Sequence, residues 1–226
     1  MSKTHTIITI GRQFGSGGRE IGKRLADELG IEFYDKELLS RAAKDSKICK
    51  ELFETHDEKP TNSFLYSLVM DTYSMGFASG SVNEMPLNHK IFLAQFDAIK
   101  KIAEEGPCVL VGRCADYILK NDPYVISVFF YSDIEERIKW SIEEYQVPAK
   151  QAKKIVQEKD AQRARFYEFY TNQKWGNARN YTLMINTSKM STDEAVQLLA
   201  SFYDVKKGIP TFKNAFENQY EKNNTY

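Results

Sequence analysis

The sequence predicts a three-layer α/β/α domain in which helices cover both faces of a parallel sheet. Three observations support this: short apolar runs recur along the chain, helical patterns lie between them, and a glycine-rich turn joins the first run to the first helix. Continuous apolar runs are typical of strands buried on both faces, and their alternation with helices indicates βαβ units. A chain of 226 residues is long enough for one such domain with a substantial core.

Each element follows from a local pattern. Ser-x-x-Glu sequences at 132–135 and 191–194 have the form of a capping box and predict two helix starts, and Pro148 suits the first turn of another helix. The predicted strands are 6–10, 31–34, 107–111, 124–131 and 181–185. The predicted helices are 19–29, 36–45, 88–105, 133–145, 148–171 and 192–202.

The organisation along the chain is that of one domain over 1–205 with two specialised regions. Residues 55–87 mix proline, glycine, serine and asparagine with apolar patches, which predicts an insertion with one or two helices. Residues 146–180 carry many basic side chains on a long helical pattern and read as a helical lid. The polar tail, 206–226, favours disorder or loose docking.

Composition excludes several classes of function. Acidic and basic residues balance at 31 each, so the chain lacks the basic excess of a general nucleic-acid or membrane-surface binder. No apolar run reaches the length of a membrane span, and the N-terminus lacks the hydrophobic stretch of a secretory signal. The spacing of Cys49, Cys108 and Cys114 fits no zinc pattern, so we expect reduced thiols and a cytoplasmic protein.

The most informative segment is the loop Gly-Arg-Gln-Phe-Gly-Ser-Gly-Gly at 11–18. A strand that turns through glycines into a helix presents unpaired backbone N–H groups and the positive end of the helix dipole at one point. This predicts a phosphate site formed by Gly11, Gly15, Ser16, Gly17, Gly18, Arg19 and Glu20. A dinucleotide-binding turn is the rival interpretation, with Asp35 as its acid, but Glu20 stands at its third glycine and would repel a pyrophosphate.

Several motifs together resemble the cytidylate kinase-like family, which belongs to the P-loop nucleoside monophosphate kinase-like proteins. They are the loop with its helix, the sequence Phe-Tyr-Asp-Lys-Glu at 33–37, and Gly112-Arg113 after a core strand. The resemblance covers roughly 6–204 apart from the insertion. It implies a helical lid, an acceptor-binding insertion, ATP and Mg²⁺ as cofactors, and nucleotide substrates.

The resemblance also implies roles for residues outside the loop. Asp35, Arg41 and Arg113 match positions at which the family holds the acceptor monophosphate, and Asp160 and Arg163 match its acceptor contacts near the end of the lid. Arg137 lies in a Glu-Glu-Arg sequence before the lid and is expected to neutralise the transition state together with it.

Two departures from the P-loop pattern bear on catalysis. Gly18 stands where a P-loop kinase has its lysine, and Glu20 where the metal-binding serine or threonine would be. Arg12 or Arg19 could restore the charge, and Ser16 or Glu20 could approach Mg²⁺. The catalytic candidates are Arg12, Arg19, Arg137 and Arg163. A third departure is Cys114, which replaces the aspartate of the family's Gly-Arg-Asp.

The sequence therefore leaves a leading function and alternatives. The leading one is an ATP- and Mg²⁺-dependent kinase of CMP or a related pyrimidine monophosphate. A catalytically weak nucleotide-binding sensor of the same fold, a kinase of another small molecule and, as an outsider, a dehydrogenase stay open. We expect nucleotide substrates, no nucleic-acid or membrane partner, and leave open whether the chain forms a homodimer.

Overall fold

One parallel sheet forms the centre of the protein. The computed structural model describes residues 5–35 and 87–207, so the predicted helix 36–45, Arg41, nearly all of the insertion and the tail beyond 207 lie outside the described residues. The strands are β1 (Ile7–Arg12), β2 (Glu32–Tyr34), β3 (Cys108–Val111), β4 (Val125–Tyr131) and β5 (Leu183–Asn186). They lie in the order β2-β3-β1-β4-β5, and all pairs are parallel, as predicted.

Helices cover both faces of this sheet, which confirms the predicted three layers. They are α1 (Gly18–Leu29), α2 (Leu87–Glu105), α3 (Ala115–Ile118), α4 (Ile134–Glu143), α5 (Ala149–Thr171) and α6 (Thr192–Lys206), with a 3-10 turn at Ala178–Asn180. The single turn α3 was not predicted, because four residues are too few to show a periodic pattern. Within the described ranges, none of these helices is both long and apolar enough to cross a bilayer.

The alternation of side chains along β1 divides the core in two. Ile7 packs with α2, with α3 and with the aromatic end of α5, whereas Ile8 and Ile10 pack with α1 and α6 on the other face. Successive residues of a strand point to opposite faces, so a β-branched run such as Ile-Ile-Thr-Ile can feed both cores. The central strands are therefore fixed from both sides, and with them the turns that follow.

The two predicted capping boxes behave differently. Ser191 begins α6 with a complete box, because its hydroxyl accepts from the Glu194 N–H and the Glu194 carboxylate accepts from the Ser191 N–H. The prediction for Ser132 was wrong: the residue before α4 is Asp133, and the Ser132 hydroxyl lies 2.9 Å from that of Ser188 instead. A tertiary contact at the end of β5 thus replaces the local cap.

Candidate functional site

The carboxyl ends of β1, β3 and β4 meet at one edge of the sheet, where parallel sheets bind their ligands. β1 extends to Arg12, which pairs in register with Phe130 of β4. On its other side, the Gly112 N–H donates to the Ile10 carbonyl at 2.9 Å. The segments that follow these strands contain most of the predicted site residues, so the sheet brings them together.

The glycine loop has a backbone that glycine alone adopts without strain at two points. Gly15 and Gly17 have φ of 78° and 72°. A Cβ at Gly15 would lie 2.4 Å from the Arg137 carbonyl oxygen, so the loop fits closely against α4. Gly17 is the N-cap of α1, whose first turn closes with a 3.0 Å bond from the Ile21 N–H to the Gly17 carbonyl. The N–H groups of the first turn precede this bond, and a helix N-terminus of this kind can bind an anion.

Hydrogen bonds inside the protein hold the loop in shape. The buried Ser16 hydroxyl donates to the Gln13 carbonyl at 2.9 Å, and the Thr187 hydroxyl donates to the Ser16 carbonyl at 3.0 Å. The Ser16 side chain is therefore turned into the loop, whereas Glu20 is exposed in the first turn of α1. A metal role for these two residues stays a prediction.

The described residues contain no group of three or more acidic, histidine or cysteine side chains that could hold a metal. Mg²⁺ in phosphoryl-transfer sites is commonly bound by one or two protein side chains together with substrate phosphates and water. A preformed cluster is therefore not expected for this ion.

Position 18 has no room for a side chain. A Cβ on Gly18 would lie 2.8 Å from Cδ2 of Phe130 and 2.9 Å from the Cβ atoms of both Phe130 and Arg12. Arg12 continues from there toward β3, because a Cβ on Gly112 would lie 2.5 Å from its Nη1 atom. Two glycines thus flank the path of the Arg12 side chain.

The predicted arginines fall into two groups. Arg19 and Arg137 face carboxylates: Arg19 Nε donates to Asp35 at 2.6 Å, and Arg137 Nη1 donates to Asp160. The second group lines a cavity of about 30 Å³ at the ends of β1 and β3. It consists of Arg12, Arg113 and Arg163. The guanidinium groups that line the cavity are therefore those of the second group.

Asp160 connects the loop with α4 and α5. Its carboxylate accepts a 2.7 Å hydrogen bond from the Phe14 N–H and also forms an ion pair with Arg137. One turn further along α5, Arg163 donates to the Arg12 carbonyl at 3.2 Å, and its guanidinium lies 5.5 Å from the centre of the Phe14 ring. The predicted lid helix therefore lies against the glycine loop, and its acidic and basic side chains both face the site.

The turn after β3 is conformationally unusual. Gly112, Arg113 and Cys114 have φ of 77°, 57° and 56°, three successive left-handed residues of which two carry side chains. Left-handed non-glycine residues cost free energy, and such strain concentrates at functional sites. The turn places Arg113, only 7% exposed, in the wall of the cavity.

A carboxylate that the sequence interpretation did not single out also borders the cavity. Asp116, at the start of α3, accepts a 2.7 Å hydrogen bond from the Tyr167 hydroxyl of α5. Burial raises the pKa of Asp116 to about 6, and burial together with the Asp116 charge raises the pKa of Tyr167 far above its usual value. In the sequence, Asp116 could have been noticed because it stands two residues after Cys114. Its burial depends on α5, so the neighbouring sequence does not predict it.

Aromatic side chains close the remaining wall. The rings of Phe166, Tyr167 and Tyr170 are buried in the core. Trp175 packs edge-on against Phe129, with the ring centres 5.2 Å apart, and borders the cavity. At about 30 Å³ the cavity holds roughly one water molecule, so an acceptor of nucleotide size requires the cleft to widen.

The sheet order, the glycine loop before α1 and the arginine-lined cleft define a P-loop kinase fold. The model of the cytidylate kinase-like family matches residues 7–189, and the protein belongs to that family. Membership supports kinase-type phosphoryl transfer as the class of activity.

Solved structures agree with this fold. An uncharacterized protein from Eubacterium ventriosum is 30% identical to this chain, with a TM-score of 0.65. The match covers 88% of this chain and 98% of the chain of that protein. A shikimate kinase from Bacteroides thetaiotaomicron (13% identity, 88% and 99% covered) and TT1252 from Thermus thermophilus (15%, 89% and 98%) each have a TM-score of 0.50, and they show the fold alone. No curated protein matches the sequence.

Proposed function

We propose that the protein transfers the γ-phosphoryl group of ATP to a nucleoside monophosphate, CMP or a related pyrimidine nucleotide. The observation that carries this proposal is the convergence of Arg12, Arg113 and Arg163 on one cavity beside the glycine loop. A guanidinium group stays charged at neutral pH and can donate two parallel hydrogen bonds to two oxygens of one phosphate. Transfer between two nucleotides collects negative charge at one point, and neutralising it is most of the catalytic task.

The reaction requires little covalent chemistry from the protein. The bond from the γ-phosphorus to its bridging oxygen breaks, a bond to an oxygen of the acceptor phosphate forms, and ADP and a nucleoside diphosphate leave. The loop from Gly15 to Gly18 would hold the ATP phosphates with backbone N–H groups, and bound Mg²⁺ supplies further positive charge between them. Arg113 and Arg163 would hold the acceptor phosphate.

The remaining acceptor contacts stay predictions. Asp35 is buried and accepts from Arg19, so a role at the acceptor would act through this pair. Arg41 lies outside the described residues.

The direct test is ADP formation from ATP and Mg²⁺ with a panel of monophosphates: CMP, dCMP, UMP, AMP and GMP. We expect ADP formation to depend on the added monophosphate and to be fastest with a pyrimidine nucleotide. If ATP binds and none of the monophosphates stimulates ADP formation, the proposal is refuted.

Arg113 gives a sharper test of the acceptor site. Arg113→Ala should weaken monophosphate binding by about tenfold or more while ATP affinity changes little, because a lost bidentate phosphate contact is worth a few kcal/mol. Arg24→Ala is the matched control, since Arg24 is an exposed arginine that pairs with Asp193 away from the cleft. Equal losses of both affinities in Arg113→Ala would assign this residue to folding rather than to the acceptor.

A nucleotide-binding sensor without turnover is the second candidate. The observation that favours it is the packing of Gly18 against Phe130, which excludes a lysine side chain from its usual place. Calorimetric titration separates the two functions: tight ATP binding without turnover on any acceptor would favour the sensor.

A further inference from the structure

We propose that Arg12 supplies the positive charge that a lysine supplies in other P-loop kinases, and that it does so from β1 rather than from the loop. This inference rests on the proposed function for its catalytic part. Its structural part rests on three observations about residues 12, 18, 19 and 112.

First, the usual position is blocked rather than merely vacant. Gly18 is the first residue of α1, where the P-loop lysine would stand. A Cβ there would approach Phe130 and Arg12 to 2.8–2.9 Å, and the Phe130 and Arg12 Cβ atoms cannot move without shifting the backbone of β4 and β1. Any side chain at position 18 therefore costs packing.

Second, the Arg12 side chain occupies this space and continues to the acceptor side. Its Cβ lies against Gly18, and its Nη1 lies against Gly112 at the end of β3. The guanidinium therefore lies between the loop that would hold ATP and the cavity that would hold the acceptor, which it lines with Arg113. A charge at this point faces the phosphoryl group during transfer.

Third, the other candidate from the loop is engaged elsewhere. Arg19 donates to the buried Asp35 at 2.6 Å, and its guanidinium lies 6.0 Å from the centre of the Phe33 ring, toward the β2 edge of the sheet. Arg19 is thus directed away from the cavity, whereas Arg12 lines it.

The test uses Arg12→Ala, Arg12→Lys and the control Arg24→Ala in the full chain. Arg12→Ala keeps the Cβ that packs on position 18, so the melting temperature should change little. Its turnover should fall by about 10²–10³-fold, as when one preorganised donor to a transition state is removed. Added guanidinium, at concentrations far below those that unfold proteins, should restore part of the activity of Arg12→Ala and leave Arg24→Ala unchanged.

A binding measurement makes the result independent of turnover. Titration should show that Arg12→Ala weakens ATP binding by about tenfold or more and AMP binding by much less, because the charge faces the terminal phosphates. Arg12→Lys should retain part of the ATP affinity. Unchanged ATP affinity in Arg12→Ala, with wild-type turnover or without, overturns the inference.

Gly18→Lys tests the same idea from the other side. Steric exclusion predicts a less stable protein with no gain in turnover. A stable and more active Gly18→Lys variant would show that position 18 is open, and the inference would fail. If wild-type protein binds ATP but phosphorylates no acceptor, the proposed function fails, and the titration alone decides the position of the cation. Absence of ATP binding in the wild type overturns both.

Discussion

Replacing Asp116 with asparagine should remove a specific dependence of stability on pH. Burial raises the pKa of this carboxyl from 3.8 to about 6, despite the hydrogen bond from Tyr167, which lowers it. The shift of about two units corresponds to about 3 kcal/mol at 1.36 kcal/mol per unit. Asparagine has nearly the same shape and still accepts from Tyr167, so packing is conserved.

The direction follows from proton linkage. The folded protein binds this proton at higher pH than the unfolded chain does, so Asp116 favours folding below its unfolded pKa, and this contribution is lost as pH rises through about 6. Asp116→Asn has no carboxyl group to titrate, so its stability does not fall in this way as the pH rises. The free energy of unfolding of the variant, relative to that of wild type, should therefore be about 2–3 kcal/mol higher at about pH 8 than at about pH 4.

Urea unfolding of both proteins across this pH range measures the difference directly, because titrations shared by the two proteins cancel. Tyr167→Phe is a useful companion: it removes the hydrogen bond that lowers the Asp116 pKa, so the pH-dependent step should move upward. A difference between Asp116→Asn and wild type that is constant with pH would refute the reasoning, since the carboxyl would then not be desolvated.

Three further outcomes follow from contacts of the site and its scaffold. Gly15→Ala should lower the free energy of unfolding by more than Gly30→Ala, because both glycines are left-handed but only the Cβ at Gly15 meets an atom within 4 Å; chemical denaturation of both variants measures the difference. Arg137→Met should cost about 3–5 kcal/mol in the same assay, since it leaves the mostly buried Asp160 without its cation; a loss below 1 kcal/mol would mean that the pair behaves as an exposed one. Ser191→Ala should cost about 1 kcal/mol through the lost capping box, seen as a lower melting temperature, and Ser191→Asp should retain most of the stability.

The sheet and its loop could be predicted because their signals are local. All five strands were located to within two residues at either end, since short apolar runs between helical patterns are distinctive. β1 continues two residues beyond its apolar run to Arg12, because Gly11 and Arg12 still pair with β4. α6 likewise extends to Lys206, whose carbonyl accepts from the Thr6 hydroxyl, a partner 200 positions away in sequence.

The charge state of the site could not be predicted in the same way. Arginine content supplied the candidate residues, but which of them face carboxylates depends on contacts between distant segments. Arg137 lies beside Asp160 only because α4 packs on α5, and Asp116 accepts a hydrogen bond from Tyr167, 51 positions further along the chain. Sequence spacing within one helix contains no information about such pairs.

The turn at 112–114 has a consequence for how this chain would respond to selection for stability alone. Left-handed arginine and cysteine each cost about 1–3 kcal/mol compared with residues that favour this conformation, and glycine would fit both positions better. Variants selected for thermal stability should therefore carry glycine at 113 and 114, and these more stable variants should bind anions less well than wild type. Under the proposed function, the native pair marks a place where folding free energy is given up for a guanidinium held in a fixed direction.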